Sequence, residues 1–371
     1  MNKIAYITSS PANNINLWSG TTKNMFDNLN MITQTENIVV PQTVIHKIVH
    51  KIIFKLTSGR GNHSKIDSFF YKIEMNKKKK ILQDYDILFF PAESNLLAGL
   101  SEKNQKQKIV YLSDATVHLM IDYYWFNIPN AVINILNENE MLSIKKADKL
   151  IYPSKWVASD AINYYKAKKS KVSVVPFGAN LPDRYKKKQS KKKQLIKLLL
   201  VGVDWKRKGV ETAIETTKIL NKGSLKYELT IVGCTPASSE RFPDYIKFVS
   251  KLNKNNVKDE NELIKIYQES DIFLLPTQAE CAGIVFCEAA MYGLPSISYD
   301  TGGVSSYVKD GVTGYLLHEG ASADKFAEKI SFIINNDLLY KMSLYSRKLY
   351  ENCLNWKQWT KSVKEVLKID K

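Results

Sequence analysis

Residues 276–304 read PTQAECAGIVFCEAAMYGLPSISYDTGGV and carry two carboxylates, Glu280 and Glu288, on either side of Ala282-Gly283-Ile284-Val285. The apolar run DIFLLP (271–276) ahead of them reads as a strand, which puts Glu280 in a loop of small residues and Glu288 inside the helix that follows. A carboxylate accepts a pair of vicinal hydroxyls well, so a hexose near Glu280 and a ribose near Glu288 are natural partners. The small side chains of Ala282 and Gly283 leave backbone N–H groups open to a sugar or phosphate oxygen. A single buried glutamate is more often a paired structural carboxylate, but that reading does not account for the whole segment. A second cluster follows KLLLVG (197–202): Val203-Asp204-Trp205-Lys206-Arg207-Lys208-Gly209, then a helix opening near Val210. A strand, a short loop with adjacent cations and a helix N-terminus make a pyrophosphate cradle of Arg207 and Lys208; the bland alternative is a solvent-facing basic loop.

These residues need sheets to hold them. Short β-branched runs alternate with longer amphipathic ones along the chain, the pattern of parallel sheets covered by helices. Strands are expected at 3–8, 86–91, 108–112, 148–153 and 172–176 in the first half, and at 197–202, 228–233, 271–276 and 295–299 in the second. An α/β chain of 371 residues then forms two facing Rossmann-like, doubly wound domains with a cleft between them, where ligands meet the carboxyl ends of the strands. The expected organisation is an N-terminal domain over 1–180, a basic linker over 181–195, a C-terminal nucleotide-binding domain over 196–350, and a last helix over 351–371 that crosses back to the first domain.

Composition excludes several classes. Hydrophobic residues at 44% and charged residues at 25% are globular values, and no apolar run reaches the length of a membrane span. The sequence opens on a strand-like segment with no secretory leader, and Cys234, Cys281, Cys287 and Cys353 form no CxxC pair, so a reducing cytoplasm without disulfide or zinc is expected. The net charge of +17 is concentrated early: +9 over 1–180, +6 over 181–193 and +2 over 194–371. Only five of the 54 basic residues are arginine, and no nucleic-acid motif is present, so nucleic acid is not an expected partner.

A helix over 44–56, VIHKIVHKIIFKL, sets Ile45, Ile48, Val49, Ile52, Ile53 and Leu56 on one face and His46, Lys47, His50, Lys51 and Lys55 on the other. The favoured reading is a sheet-covering helix with a solvated basic face; the alternative is an anionic membrane surface, with Lys77–Lys80 nearby. His46 and His50 stand four apart without a neighbouring carboxylate and are read as surface residues.

The Glu280-to-Glu288 segment, the DWKRKG loop, Ser19-Gly20-Thr21 and PFGANLP (176–182) together resemble the family 4 retaining glycosyltransferases of the GT-B fold. The resemblance implies transfer of a hexose from a nucleotide sugar to a glycan, glycolipid or other hydroxyl acceptor, as in cell-surface polysaccharide synthesis. It places Glu280 on the donor hexose, Glu288 on the ribose, Arg207 and Lys208 on the diphosphate, and Gly20, Thr21, Ala282, Gly283, Ile284 and Val285 around the donor. Val203 departs from the arginine that many members carry after the strand glycine, and Ser113-Asp114 replaces a common His-Asp pair. Asp114 and His118 are therefore the candidates for acceptor orientation or proton transfer. No metal and no cofactor beyond the nucleotide sugar is implied, and the place of action is the cytoplasm, with the inner membrane face as a peripheral site. A nucleotide-sugar epimerase and a silent nucleotide-sugar-binding subunit are the alternatives. Ser154 is expected to cap a helix rather than to react.

Overall fold

The computed structural model describes residues 2–15, 17–56, 62–101, 103–186, 193–236 and 241–369. The chain divides into two units: Met1–Val175 with Trp359–Lys371, and Pro176–Gln358. The division falls ahead of the expected end at 180, so residues 176–180 pack with the second unit. Residues 187–192 of the expected linker lie outside the described residues.

Unit 1 runs β1 (Ile4–Thr8), α1 (Thr21–Asn30), β2 (Thr35–Val39), α2 (Val44–Leu56), α3 (Asn62–Leu82), β3 (Ile87–Pro91), α4 (Ser94–Gly99), β4 (Lys108–Leu112), α5 (Val117–Met120), α6 (Asn130–Lys146), β5 (Lys149–Tyr152), α7 (Lys155–Asn163) and β6 (Val172–Val174). Unit 2 runs β7 (Leu195–Val201), α8 (Val210–Leu220), β8 (Lys226–Val232), β9 (Ile246–Val249), α9 (Val257–Glu269), β10 (Ile272–Leu275), α10 (Ile284–Met291), β11 (Ser296–Tyr299), β12 (Gly314–Leu317), α11 (Ala323–Asn335) and α12 (Leu339–Asn352). The last helix, α13 (Trp356–Leu367), buries Trp359, Val363 and Leu367 in unit 1, where Thr360 Oγ1 donates to Asn28 Oδ1 at 3.0 Å and Lys108 Nζ to the Leu367 carbonyl at 2.6 Å.

Each unit holds one parallel six-stranded sheet, ordered β2-β1-β3-β4-β5-β6 and β12-β11-β10-β7-β8-β9. Central strands such as β1, β3 and β10 are buried at every position, as helices on both faces require. All nine strands expected from the sequence are present. The three not anticipated, β2, β9 and β12, are edge strands, each with positions partly or fully exposed. The expected Ser154 cap is formed: its hydroxyl accepts from Val157 N at 3.4 Å and starts α7.

The helix α2 departs from its expected orientation. It packs on α3, and the side chains turned inward are His46, Val49, His50 and Ile53. His46 is fully buried, stacked on Phe70 at 4.7 Å, with Nε2 2.6 Å from Asp67 Oδ1; His50 Nδ1 lies 2.8 Å from the same oxygen. The histidines are thus not free surface residues. The physical reason is a carboxylate 17 to 21 residues away that only the α2–α3 hairpin brings between them, and a shared hydrogen-bond acceptor makes burial of imidazole affordable.

Candidate functional site

The strand order of unit 2 reverses between β7 and β10, and in open α/β sheets the crevice at such a point receives ligands. The loop 203–209 leaves β7 there and the loop 276–283 leaves β10. Gly209, with φ of +67°, lets the first loop turn tightly into α8; a Cβ on it would lie 2.0 Å from the Pro276 carbonyl oxygen, so the two loops touch at a position only glycine can hold. Further bonds fasten them: Gln278 N donates to the Arg207 carbonyl at 2.7 Å, and Arg207 Nη1 to the Ala279 carbonyl at 3.1 Å. Asp204 Oδ1 accepts from Arg207 N at 3.0 Å and shapes the turn.

The contact between the loops joins the three expected residues. Lys208 Nζ donates to Glu280 Oε2, and Arg207 Nη1 lies 4.0 Å from the same oxygen. Lys208 and Glu280 are largely enclosed, so two cations and one carboxylate share a site shielded from bulk water. Gly283, with φ of +51°, opens α10; a Cβ there would meet the Phe286 ring at 2.7 Å. Ala282 and Gly283 are buried in this turn, while Ile284 and Val285 keep partial exposure at a helix N-terminus whose first amides have no acceptor within the helix.

Glu288 is fully buried one helix turn beyond, and two partners missed from the sequence hold it: Lys254 Nζ and the Tyr267 hydroxyl, the latter donating at 3.1 Å to Oε2. Burial first, and then the Glu288 charge, push the Tyr267 hydroxyl well above its ordinary pKa, so it remains a donor at any working pH. Lys254 stands in SKLNKNN, a stretch with no motif, and nothing in its local pattern announces a partner 34 residues on.

Residues 183–365 match the family described as glycosyl transferases, group 1. The matched segment is just under half of the chain. The capsular polysaccharide biosynthesis glycosyltransferase CapM of Staphylococcus aureus is 28% identical over 47% of this chain and 48% of its own length. The lipopolysaccharide glucosyltransferase WaaG of Escherichia coli is 28% identical over 49% of this chain and 52% of its own. The chain spans about half the length of the curated relatives it matches. Among solved structures, the apo lipopolysaccharide outer core galactosyltransferase WaaB superposes with a TM-score of 0.64 at 14% identity over 98% of this chain and 99% of that one. Anabaena HepE in complex with UDP-glucose does so with a TM-score of 0.63 at 13% identity over 99% and 100%. The fold of both units is therefore the two-domain α/β fold of the GT-B glycosyltransferases. Among the described residues, no helix is long and apolar enough to cross a membrane.

Outside the segment matched to the group 1 glycosyl transferases, unit 1 places its own candidates. Gly20, with φ of +87°, ends a 3-10 turn and precedes Thr21, the first residue of α1; both are buried. Trp18 and Ser19 just before them also lie in the left-handed region, with φ of 49° and 55°, and Trp18 Nε1 donates to Asp114 Oδ2 at 2.9 Å. The turn 17–20 is thereby tied to the end of β4. His118 Nδ1 lies 2.7 Å from Asp160 Oδ1 and its ring stacks on Tyr164 at 3.7 Å, leaving the other ring edge partly exposed. Asp160, on α7, was not anticipated as its partner. Nor was Glu93. It follows β3 at the point where the unit 1 strand order reverses, beside Ala92 with φ of +53°. The backbone N and hydroxyl of Ser9 donate to its Oε1 at 2.6 and 2.7 Å, and burial, opposed by those two bonds, raises its carboxyl to about 7. Knowledge of the strand order, which the sequence pattern does not provide, would have pointed to it.

Proposed function

We propose that this protein is a retaining glycosyltransferase of family 4 that moves a hexose from a nucleotide sugar to a hydroxyl of a glycan, glycolipid or other acceptor in cell-surface polysaccharide or glycolipid synthesis. The observation that carries the reading is the meeting of Arg207, Lys208 and Glu280 where the loops after β7 and β10 touch. Relatives named for capsular polysaccharide and lipopolysaccharide work, and a neighbour bound to UDP-glucose, support the chemical class.

In this reading Arg207 and Lys208, with the amides of the α10 N-terminus from Gly283 to Val285, take the donor diphosphate. Glu280 takes hexose hydroxyls and Glu288 the ribose. The bond between the anomeric carbon and the phosphate oxygen breaks, and the diphosphate leaves with its charge. The acceptor oxygen bonds to the same face of the sugar while its proton passes to a departing phosphate oxygen, which retains the anomeric configuration. The residues act chiefly by charge: Lys208 exchanges part of its pairing with Glu280 for the phosphate oxygens as negative charge grows there. Gly20 and Thr21 approach the donor, and Asp114 and His118 orient the acceptor. The reaction uses no metal, and the enzyme works in the cytoplasm at the inner membrane face.

The test is incubation of the purified protein with a panel of nucleotide sugars, following released nucleoside diphosphate and the rise in unfolding temperature with each donor. A donor that both stabilises the protein and is consumed when an acceptor glycan is added supports the reading. No stabilisation by any nucleotide sugar or nucleoside diphosphate would overturn it.

A further inference from the structure

The inversion of α2 leaves a surface without a role in the folded chain. Turning His46 and His50 toward Asp67 sends the helix's aliphatic residues outward: Ile45 is 66% exposed, Ile48 51%, Ile52 52% and Leu56 76%. They recur at steps of three and four residues, so they form one strip along a helix of 13 residues, about 20 Å long. Lys47, Lys51 and Lys55 are exposed on the same helix at four-residue steps, and the helix contains no acidic residue. An ordinary sheet-covering helix does the reverse, hiding its aliphatic strip and wetting its polar side. A contiguous aliphatic strip in water is costly unless something covers it.

We propose that α2 is a membrane-surface anchor, which docks on an anionic lipid bilayer. The aliphatic strip enters the boundary between headgroups and acyl chains, and the lysines extend along it to lipid phosphates. The charge selects the occupant. A cationic helix with no carboxylate complements an anionic leaflet, and the surrounding unit carries the early excess of positive charge, +9 over residues 1–180. The His46–Asp67–His50 arrangement, with His46 fully buried, holds the helix face in place, so the strip is presented without a folding step on the membrane. The inference adds an attachment site to the acceptor unit of the proposed transferase. It rests on that reading only for its biological sense, because its test needs no transferase activity.

The experiment is flotation of the full chain with phosphatidylglycerol-containing vesicles and with pure phosphatidylcholine vesicles, at low salt. Binding to the anionic vesicles alone is the expected result. The pair Ile48→Ser and Ile52→Ser weakens it by at least roughly tenfold, as loss of two buried aliphatic side chains requires. Each of Lys47→Ser, Lys51→Ser and Lys55→Ser weakens it by about fivefold at low salt, the worth of one lysine near an anionic surface. Val257→Ser, at an exposed apolar position of unit 2, leaves binding unchanged and controls for general stickiness. Unfolding temperatures of all variants, whose side chains are exposed, match the parent. Absence of flotation by the parent, equal flotation of the Ile48→Ser/Ile52→Ser protein, or equal loss in Val257→Ser overturns the proposal. So does sedimentation velocity showing a dimer that the double variant dissolves, since a second copy of the chain would then cover the strip.

Discussion

The two units present the same kind of crevice with opposite chemistry. At the reversal of strand order in unit 2, the loops after β7 and β10 bring Arg207 and Lys208 against Glu280. At the reversal in unit 1, the loops after β1 and β3 bring Ser9 against Glu93, and the loop 9–20 contains no charged residue. Topology sets where a ligand can lie; the loop side chains set its charge. Two cations on a rigid turn suit a diphosphate, whereas a hydroxyl and a carboxyl raised to about 7 suit a neutral polyol. One parallel fold can thus carry loops of different charge at the same topological position of two sheets without changing its architecture.

The strongest way to break that division is to remove a cation from unit 2. Lys208→Ala is expected to lower transfer by roughly 10²–10³, the cost of losing one preorganised group at a developing oxyanion. Steady-state rates with saturating acceptor measure it, and a loss below about threefold would mean that the lysine serves Glu280 rather than the diphosphate.

A second contrast concerns pH. Two carboxyls of unit 1, Glu93 and Glu140, are raised to about 7. Glu140 is fully enclosed, and burial raises it against the lowering effect of its hydrogen bonds from Tyr111, one of them 2.9 Å long. In the folded chain it stays protonated where the unfolded chain has already ionised. Its contribution to stability is therefore complete below about pH 4.5 and is lost as pH rises toward 7, by about 3 kcal/mol at the full shift. Urea unfolding across that range should show the decline, and Glu140→Gln should make it shallower, leaving the share that Glu93 contributes. A variant that declines as steeply as the parent would place the pH dependence elsewhere.

Third, the carboxylates of unit 2 should separate by role. Glu288→Ala is expected to weaken nucleoside diphosphate binding by about 10- to 150-fold, the value of a charged hydrogen bond, while Glu280→Ala leaves that affinity nearly intact and lowers turnover. Calorimetry beside a transfer assay distinguishes them, and equal losses of affinity would reverse the assignment. The smallest effect belongs to unit 1 alone: Ser154→Ala should cost about 1 kcal/mol of stability through the lost cap of α7, with nucleotide binding unchanged.

Before any fold was known, the sequence by itself determined the central strands and the two loops, 203–209 and 276–283, that follow β7 and β10. Strands such as KIVYL and DIFLLP are buried on both faces, and that demand writes an unbroken apolar run that cannot be mistaken for a surface segment. DWKRKG and the segment from Glu280 to Glu288 are equally local, since a tight turn, its glycine and its charges lie within a few residues of one another. Tertiary structure decided the rest. Edge strands β2, β9 and β12 are defined by a neighbour on one side, so their residues obey a weaker pattern. The pairing of Lys254 with Glu288 and of Asp160 with His118, and the seat of Glu93 on Ser9, each cross 34 to 84 residues. The face that α2 buries was decided the same way. Its sequence offers an aliphatic strip and a histidine strip, and either could turn inward; the carboxylate of Asp67 on the next helix gave the histidines a partner, which offsets the cost of burying the His46 ring.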